Sequence, residues 1–159
     1  MIDKAAATVA EALEGVKDGA TVMIGGFGTA GIPVELIDGL IEQGARDLTV
    51  VNNNAGSGEV GLAALLKSGC VRKIICSFPR QADSHVFEML YGAGRIELQL
   101  VPQENLAECI RAAGAGIGAI FTPTGYGTEL AKGKETRSIN GKYYVLESPI
   151  HADLGANLN

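Results

Sequence analysis

"DGATVMIGGFGTAGIP", residues 18–33, decides the fold. Asp18-Gly19 is a turn dipeptide. Thr21 to Ile24 is an apolar run of strand length, rich in residues that suit a buried strand. Gly25 to Gly31 is a glycine-rich loop, and Pro33 has the fixed φ that suits the first turn of a helix. Leu36, Ile37, Leu40 and Ile41 then fall on one helical face, and Gly44 ends the helix. The stretch therefore reads as strand, glycine turn, helix.

The same alternation continues in both directions. Upstream, Asp3 is expected to cap a helix that runs through Glu14, with Val9, Leu13 and Val16 at helical spacing. Downstream, strands are predicted at Leu48 to Val51, Val71 to Cys76, Ile96 to Val101 and Ala119 to Phe121. Helices are predicted at Val60 to Lys67, Ser84 to Tyr91 and Asn105 to Ala113. Repeated strand–helix units imply an α/β fold, a doubly wound and mostly parallel open sheet with helices on both faces. Thr136 to Ile139 and Lys142 to Leu146 flank Asn140-Gly141, the signal for a type I′ turn, so a C-terminal β-hairpin is expected. The pattern from His151 to Asn159 carries no further convincing element.

The 159 residues suffice for one domain with a real core, and no internal repeat, charge run or linker divides them. A net charge of -5 with scattered basic residues argues against nucleic acid as a partner. No apolar run approaches the roughly 20 residues of a membrane span, and Asp3, Glu11 and Glu14 interrupt any secretory leader. Cys70, Cys76 and Cys109 form no C-x-x-C pair, which fits reduced core thiols in a cytoplasmic protein. The 22 glycines are about twice the usual share of ~7%, so glycine motifs arise cheaply here.

Gly26-Phe27-Gly28-Thr29-Ala30-Gly31 fits the dinucleotide fingerprint G-x-G-x-x-G. That fingerprint needs an acidic residue about 20 positions on, at the tip of the second strand. The tip here is Asn52-Asn53-Asn54-Ala55-Gly56, with no carboxylate, and a helix precedes the first strand. Gly56-Ser57-Gly58-Glu59-Val60-Gly61 fits the same pattern, which shows how little it discriminates, so an NAD-binding oxidoreductase is kept only as a distant alternative. Five turns remain informative: Gly25 to Gly31, Asn52 to Gly58, Ser77 to Gln81, Pro102-Gln103, and Thr122 to Gly127. Converging at the strand ends, they would make a cleft rich in amide donors, suited to an oxygen that gains charge during acyl transfer. Taken singly, each also reads as a tight turn without a ligand.

A nucleophile is missing from this pattern. There is no G-x-S-x-G. His85 reads as a surface or core residue, and His151 with Asp153 gives two metal ligands where a site needs more. Glu59 could attack as a carboxylate, but it reads first as a residue of a helix's first turn, favoured there by the dipole. The sequence thus describes half a site, oxyanion donors without a nucleophile, and points to a partner chain for the other half.

Asp18 to Pro33, Thr49 to Gly56, Val101-Pro102-Gln103 and Phe121 to Thr128 together resemble, in order, blocks of the α subunit of family I coenzyme A transferases. The resemblance runs over essentially the whole chain. It implies a two-chain enzyme, a heterodimer or heterotetramer with a β subunit, that moves CoA from a donor such as succinyl-CoA to an acceptor carboxylate. The reaction would be ping-pong, through a glutamyl-CoA thioester on the β subunit. The family's nucleophilic glutamate lies in a Ser-Glu-Asn-Gly block of that subunit, which this chain lacks. No catalytic nucleophile is then expected here, no metal, and no resident cofactor; the CoA thioester is a substrate. On matching positions, Gly25, Gly26, Phe27, Gly28, Thr29, Ala30 and Gly31 would form the loop at the thioester. Asn53, Asn54 and Gln103 would support the oxyanion and the substrate carboxylate.

Gly28 to Gly31 and Cys76 to Gln81 resemble the branch of the family that acts on 3-oxoadipate in aromatic catabolism. Arg80 would bind the second carboxylate of that acid, because a guanidinium pairs with a carboxylate bidentately; it also reads as plain surface charge. Acetoacetate or a short fatty acid is the alternative acceptor. Family α subunits run on past His151-Ala152-Asp153, so residues 1–159 are expected to form a single domain that is C-terminally incomplete.

Overall fold

The computed structural model describes residues 6–156. Its centre is a five-stranded, all-parallel sheet in the order β4-β3-β2-β1-β8, with β1 Thr21–Ile24, β2 Leu48–Val51, β3 Val71–Cys76, β4 Glu97–Leu100 and β8 Leu154–Ala156. The first four strands step in one direction across the sheet. Right-handed crossovers then place every connecting helix on the same face. Accordingly α2 Val34–Gln43, α3 Leu62–Lys67 and α4 His85–Gly92 share one face with α1 Val9–Leu13, through Leu13, Ile37, Leu40, Leu65, Phe87 and Leu90 in a common core. After β4 the chain returns across the other face as α5 Gln103–Gly114, whose Leu106 and Ile110 pack with Val51, Ile75 and Val101.

The alternation of side chains along each strand feeds both faces. Val22, Ile24, Leu48, Val50, Ile74 and Cys76 join the core beneath α1–α4, while Met23, Val51 and Ile75 meet α5. The open parallel sheet with helices on both faces is the fold the pattern predicts.

Three details differ from the sequence reading. Thr8, not Asp3, caps α1: its backbone is extended (φ -141°, ψ 159°) and its side chain accepts from Glu11 N. Asp3 lies outside the described residues. The strand expected near Ala119 to Phe121 is β5 Ile120–Thr122, and it leaves the parallel sheet. It joins β6 Thr136–Ile139 and β7 Lys142–Glu147 in an antiparallel sheet of order β5-β7-β6, with φ of 52° at Asn140 and 78° at Gly141 in the predicted hairpin turn. Finally, β8 pairs with β1 (Val22 with Leu154, Ile24 with Ala156) where no element was expected. A three-residue strand has no periodicity to read, and its partner is more than a hundred positions away.

The second sheet is tied to α5 by polar groups. Asn105 Nδ2 donates to Glu147 Oε1 (3.2 Å) and to Thr124 O (3.3 Å), and accepts from Thr122 Oγ1 (3.1 Å) through its Oδ1. Lys134 Nζ reaches both Glu147 oxygens at 2.8 and 2.9 Å. Asn105 and Glu147 are buried, so these bonds satisfy groups that would be costly alone.

Candidate active site

Four of the five predicted turns follow β1, β2, β3 and β4 and gather at the C-terminal edge of the parallel sheet. This is the edge where open α/β sheets take ligands. The fifth, Thr122 to Gly127, follows β5 in the other sheet; the Asn105 to Thr124 bond holds it beside the start of α5.

The glycine loop is a miniature hairpin. Phe27 N donates to Ala30 O (2.9 Å) and Ala30 N to Phe27 O (3.1 Å), around Gly28 and Thr29. Gly28 has φ 64°, the backbone a two-residue turn asks of its first central residue. Gly26 has φ 115°, which side chains rarely adopt, and a Cβ there would press on Ala30 O at 3.1 Å and on the end of the Ile32 side chain, so the loop folds flat on itself most readily with glycine there. The helix α2 starts at Val34, beyond the loop. A dinucleotide fingerprint instead runs its last glycine into the helix N-terminus. Phe27, at the hairpin, is 70% exposed.

The asparagine triplet continues the strand alternation of β2. Pairing persists past the strand ends: Ser77 N and Phe78 N both donate to Asn53 O (3.1 and 3.0 Å), and Asn54 bridges Phe78 in parallel. Asn52 and Asn54 therefore turn to one side and Asn53 to the other. Asn52 is buried; its Nδ2 donates to Ile24 O (2.7 Å) and Gly25 O (3.3 Å), and its Oδ1 accepts from Asn54 N (2.9 Å). Asn54 is fully buried; its Nδ2 donates to Gly28 O (3.1 Å) and its Oδ1 accepts from Gly56 N (2.7 Å). These two amides fasten the glycine hairpin to the end of β2.

Asn53 points to the α5 face. Its Nδ2 donates to Ser77 Oγ (3.1 Å) and to Gln103 Oε1, which also accepts from Ser77 Oγ. Gln103 is the first residue of α5, two positions earlier than the predicted start, so it sits at the positive end of a helix dipole. Gly25, Gly26, Asn52, Asn53 and Gln103 border one cleft of about 250 Å³, floored by Met23, Leu106 and Ile110. On the other side of the hairpin, a smaller hollow of about 70 Å³ is edged by Gly28, Thr29, Asn54, Ser57 and Val60. The structure thus brings Gly25, Gly26, Asn53 and Gln103 together and puts Asn54 behind them. Sequence reasoning did not single out Ser77 or Asn52; carrying the period-two alternation of β2 and β3 beyond their last residues would have picked out both.

Arg80 stands apart. Its side chain is 69% exposed and its Nε lies 3.7 Å from Glu88 Oε1. Glu59 is also outside the cleft: Lys67 at 3.1 Å, with His85 at 3.7 Å, holds its carboxyl below the usual range. His85 in turn meets Asp83 at 2.9 Å, which raises its pKa. Cys76 is buried and its thiol is pushed up to about 12 by desolvation, so it is no nucleophile at neutral pH. Among the described residues no group of three His, Cys, Asp or Glu side chains could hold a metal ion, and no helix is long and apolar enough to cross a membrane.

Residues 6–156 match the family model described as coenzyme A transferase. The chain is 68% identical over 153 residues to the A-subunit of 3-oxoadipate CoA-transferase from Pseudomonas putida, covering 96% of this chain and 66% of that one. It is 48% identical over 145 residues to the A-subunit of succinyl-CoA:3-ketoacid coenzyme A transferase from Helicobacter pylori, covering 91% and 62%. Among solved structures, glutaconate coenzyme A-transferase from Acidaminococcus fermentans superposes with a TM-score of 0.79 at 20% identity, covering 93% of this chain and 54% of that one. That likeness bears on the fold alone. The chain spans about two thirds of the length of the two sequence relatives.

Proposed function

The chain belongs to the coenzyme A transferase family, and from that premise we propose that it is the α subunit of a two-chain enzyme that moves CoA from succinyl-CoA to 3-oxoadipate. The partner β subunit, in a heterodimer or heterotetramer, supplies the glutamate that carries the CoA as a thioester. The observation that carries this reading is the cleft itself: Gly25, Gly26, Asn53 and Gln103 converge on it, and the described residues that line it include no Ser, Cys, Asp, Glu, Lys or His. A cleft so lined suits a carboxylate or an oxyanion, and in this reading the nucleophile comes from the partner. The named relatives support the substrate pair, and three free, buried cysteines support a cytoplasmic setting.

In this reading the loop Gly25 to Gly31 lies along the thioester, where the absence of side chains lets backbone come close. Gln103, at the N-terminus of α5, donates to the oxygen that becomes negative when a carboxylate attacks the thioester carbon. Asn53 lines the same centre. Asn54 acts one step back, holding Gly28 and so the hairpin. Arg80 is open to solvent and only loosely paired, so its guanidinium remains available for the distal carboxylate of a dicarboxylic acceptor.

The test is a CoA-transfer assay on this chain co-expressed with a β subunit of known competence. Acceptors are 3-oxoadipate, acetoacetate and acetate, with succinyl-CoA as donor and each chain alone as control. Turnover only with both chains, and fastest on 3-oxoadipate, is the expected result. Preference for acetoacetate would keep the transferase and move the acceptor to that of the 3-ketoacid relatives. Loss of 3-oxoadipate preference in Arg80→Glu is expected; an unchanged acceptor profile would remove Arg80 from the site.

A further inference from the structure

We infer that Ser77 is a positioning residue, which turns the Gln103 carboxamide so that its two N–H donors face the cleft. The inference rests on the transferase reading for what those donors do, but its geometry stands on the ring of three side chains at the ends of β2 and β3.

A carboxamide has an acceptor on one side and two donors on the other, and rotation by half a turn exchanges them. Which side faces a substrate is set by what the other side meets. Here the Gln103 Oε1 meets two donors, Asn53 Nδ2 and Ser77 Oγ. Both of its lone-pair directions are occupied, and Nε2 has no protein partner among the described residues. Ser77 is itself held. It lies one residue past β3, its N donates to Asn53 O at 3.1 Å, and its hydroxyl accepts from Asn53 Nδ2 at 3.1 Å; the single hydroxyl hydrogen has two acceptors within reach, Asn53 O at 3.0 Å and Gln103 Oε1, and the positioning role assigns it to Gln103 because Asn53 O already accepts from the Ser77 and Phe78 N–H groups. The parallel pairing of the two strands thus fixes the hydroxyl, the hydroxyl helps fix the amide, and the amide shows donors outward. An oxygen that becomes negative in the cleft needs that polarity; the reversed amide would repel it.

Two measurements on the co-expressed enzyme test this. Ser77→Ala is expected to lower kcat about tenfold, the value of one lost hydrogen bond, with KM for succinyl-CoA changed less than about twofold. Ser77→Thr keeps the hydroxyl and is expected to recover most of the rate. In a Gln103→Ala background, Ser77→Ala is expected to add less than about twofold, because its route to the chemistry is already gone. Independent, multiplicative losses would overturn the positioning role, as would Ser77→Ala at the wild-type rate. Hydrogen exchange of the side-chain amides in the 15N-labelled chain reads the ring without turnover: Asn53 Nδ2 protected and Gln103 Nε2 open is expected. The reverse pattern overturns the inference while leaving the transferase reading intact. No transfer by the wild-type pair to any acceptor overturns the transferase reading and the role given to Ser77, while the exchange data still report whether the ring exists.

Discussion

The two faces of the parallel sheet are built from different materials. Beneath α1–α4, hydrocarbon side chains from four helices and three strands close a continuous core. Beneath α5, the buried apolar cluster is the small set Val51, Ile75, Val101 and Leu106, and the second sheet is joined on by the Asn105–Glu147–Lys134 clamp. Beyond the strand ends that second face changes again, to Asn53 and Gln103 at the border of a cleft, with Ser77 bonded to both. Burial on the first face makes it the chief source of stability. The second face carries polar groups at specified positions, which a tightly packed hydrocarbon core could not accommodate.

The contrast can be broken most severely at Leu65, which is fully buried on the first face. Leu65→Ala is expected to cost about 3–5 kcal/mol, as a large cavity in a core that cannot collapse. Urea denaturation measures it, and a loss no greater than that of Leu106→Ala would erase the difference between the faces. On the second face, Lys134→Met strands the buried Glu147 carboxylate. It is expected to cost about 2 kcal/mol, below the ~3–5 of a fully buried pair because Lys134 keeps a third of its surface in water. A neutral outcome in the same titration would mean that the clamp contributes little.

Asn54→Ala is expected to cost about 1–2 kcal/mol by leaving Gly28 O and Gly56 N without their partner, and to slow CoA transfer by loosening the hairpin. An unaltered rate at normal stability would mean that the hairpin does not need its tether. The smallest effect is expected at His85. Asp83 chiefly, then Glu59, raises its pKa, so its stabilising contribution is complete below the unfolded value of about 6.5. That contribution fades as pH rises through the folded value and is absent above it. His85→Gln should therefore lower the melting temperature at about pH 5.5 and leave it unchanged at about pH 9; the opposite dependence would contradict the ion cluster.

What the sequence makes legible follows the range of the interactions concerned. Thr21–Ile24, Leu48–Val51 and Val71–Cys76 occur where their apolar runs place them, since each run is long enough to show its own pattern. The hairpin at Asn140-Gly141 is equally local. Neither β5 nor β8 could be assigned to its sheet, because three residues carry no period and their neighbours are chosen by the return of the chain across the α5 face. At the site, the glycine loop and the asparagine turn were visible as motifs. The separate tasks of Asn52, Asn53 and Asn54 were not, because three identical amides in a row differ only in which side of the extended chain each one takes. Ser77 was hidden for the same reason: its meaning comes from Asn53 and Gln103, 24 and 26 positions away.

The central claim is that this chain supplies half a site, the donors, while the nucleophile belongs to a partner. Intact-mass and peptide mass spectrometry after mixing both chains with succinyl-CoA, with no acceptor present, tests it directly. The account predicts a CoA adduct on the partner chain and none on this one, Glu59 included. A CoA adduct on any residue of this chain would contradict it.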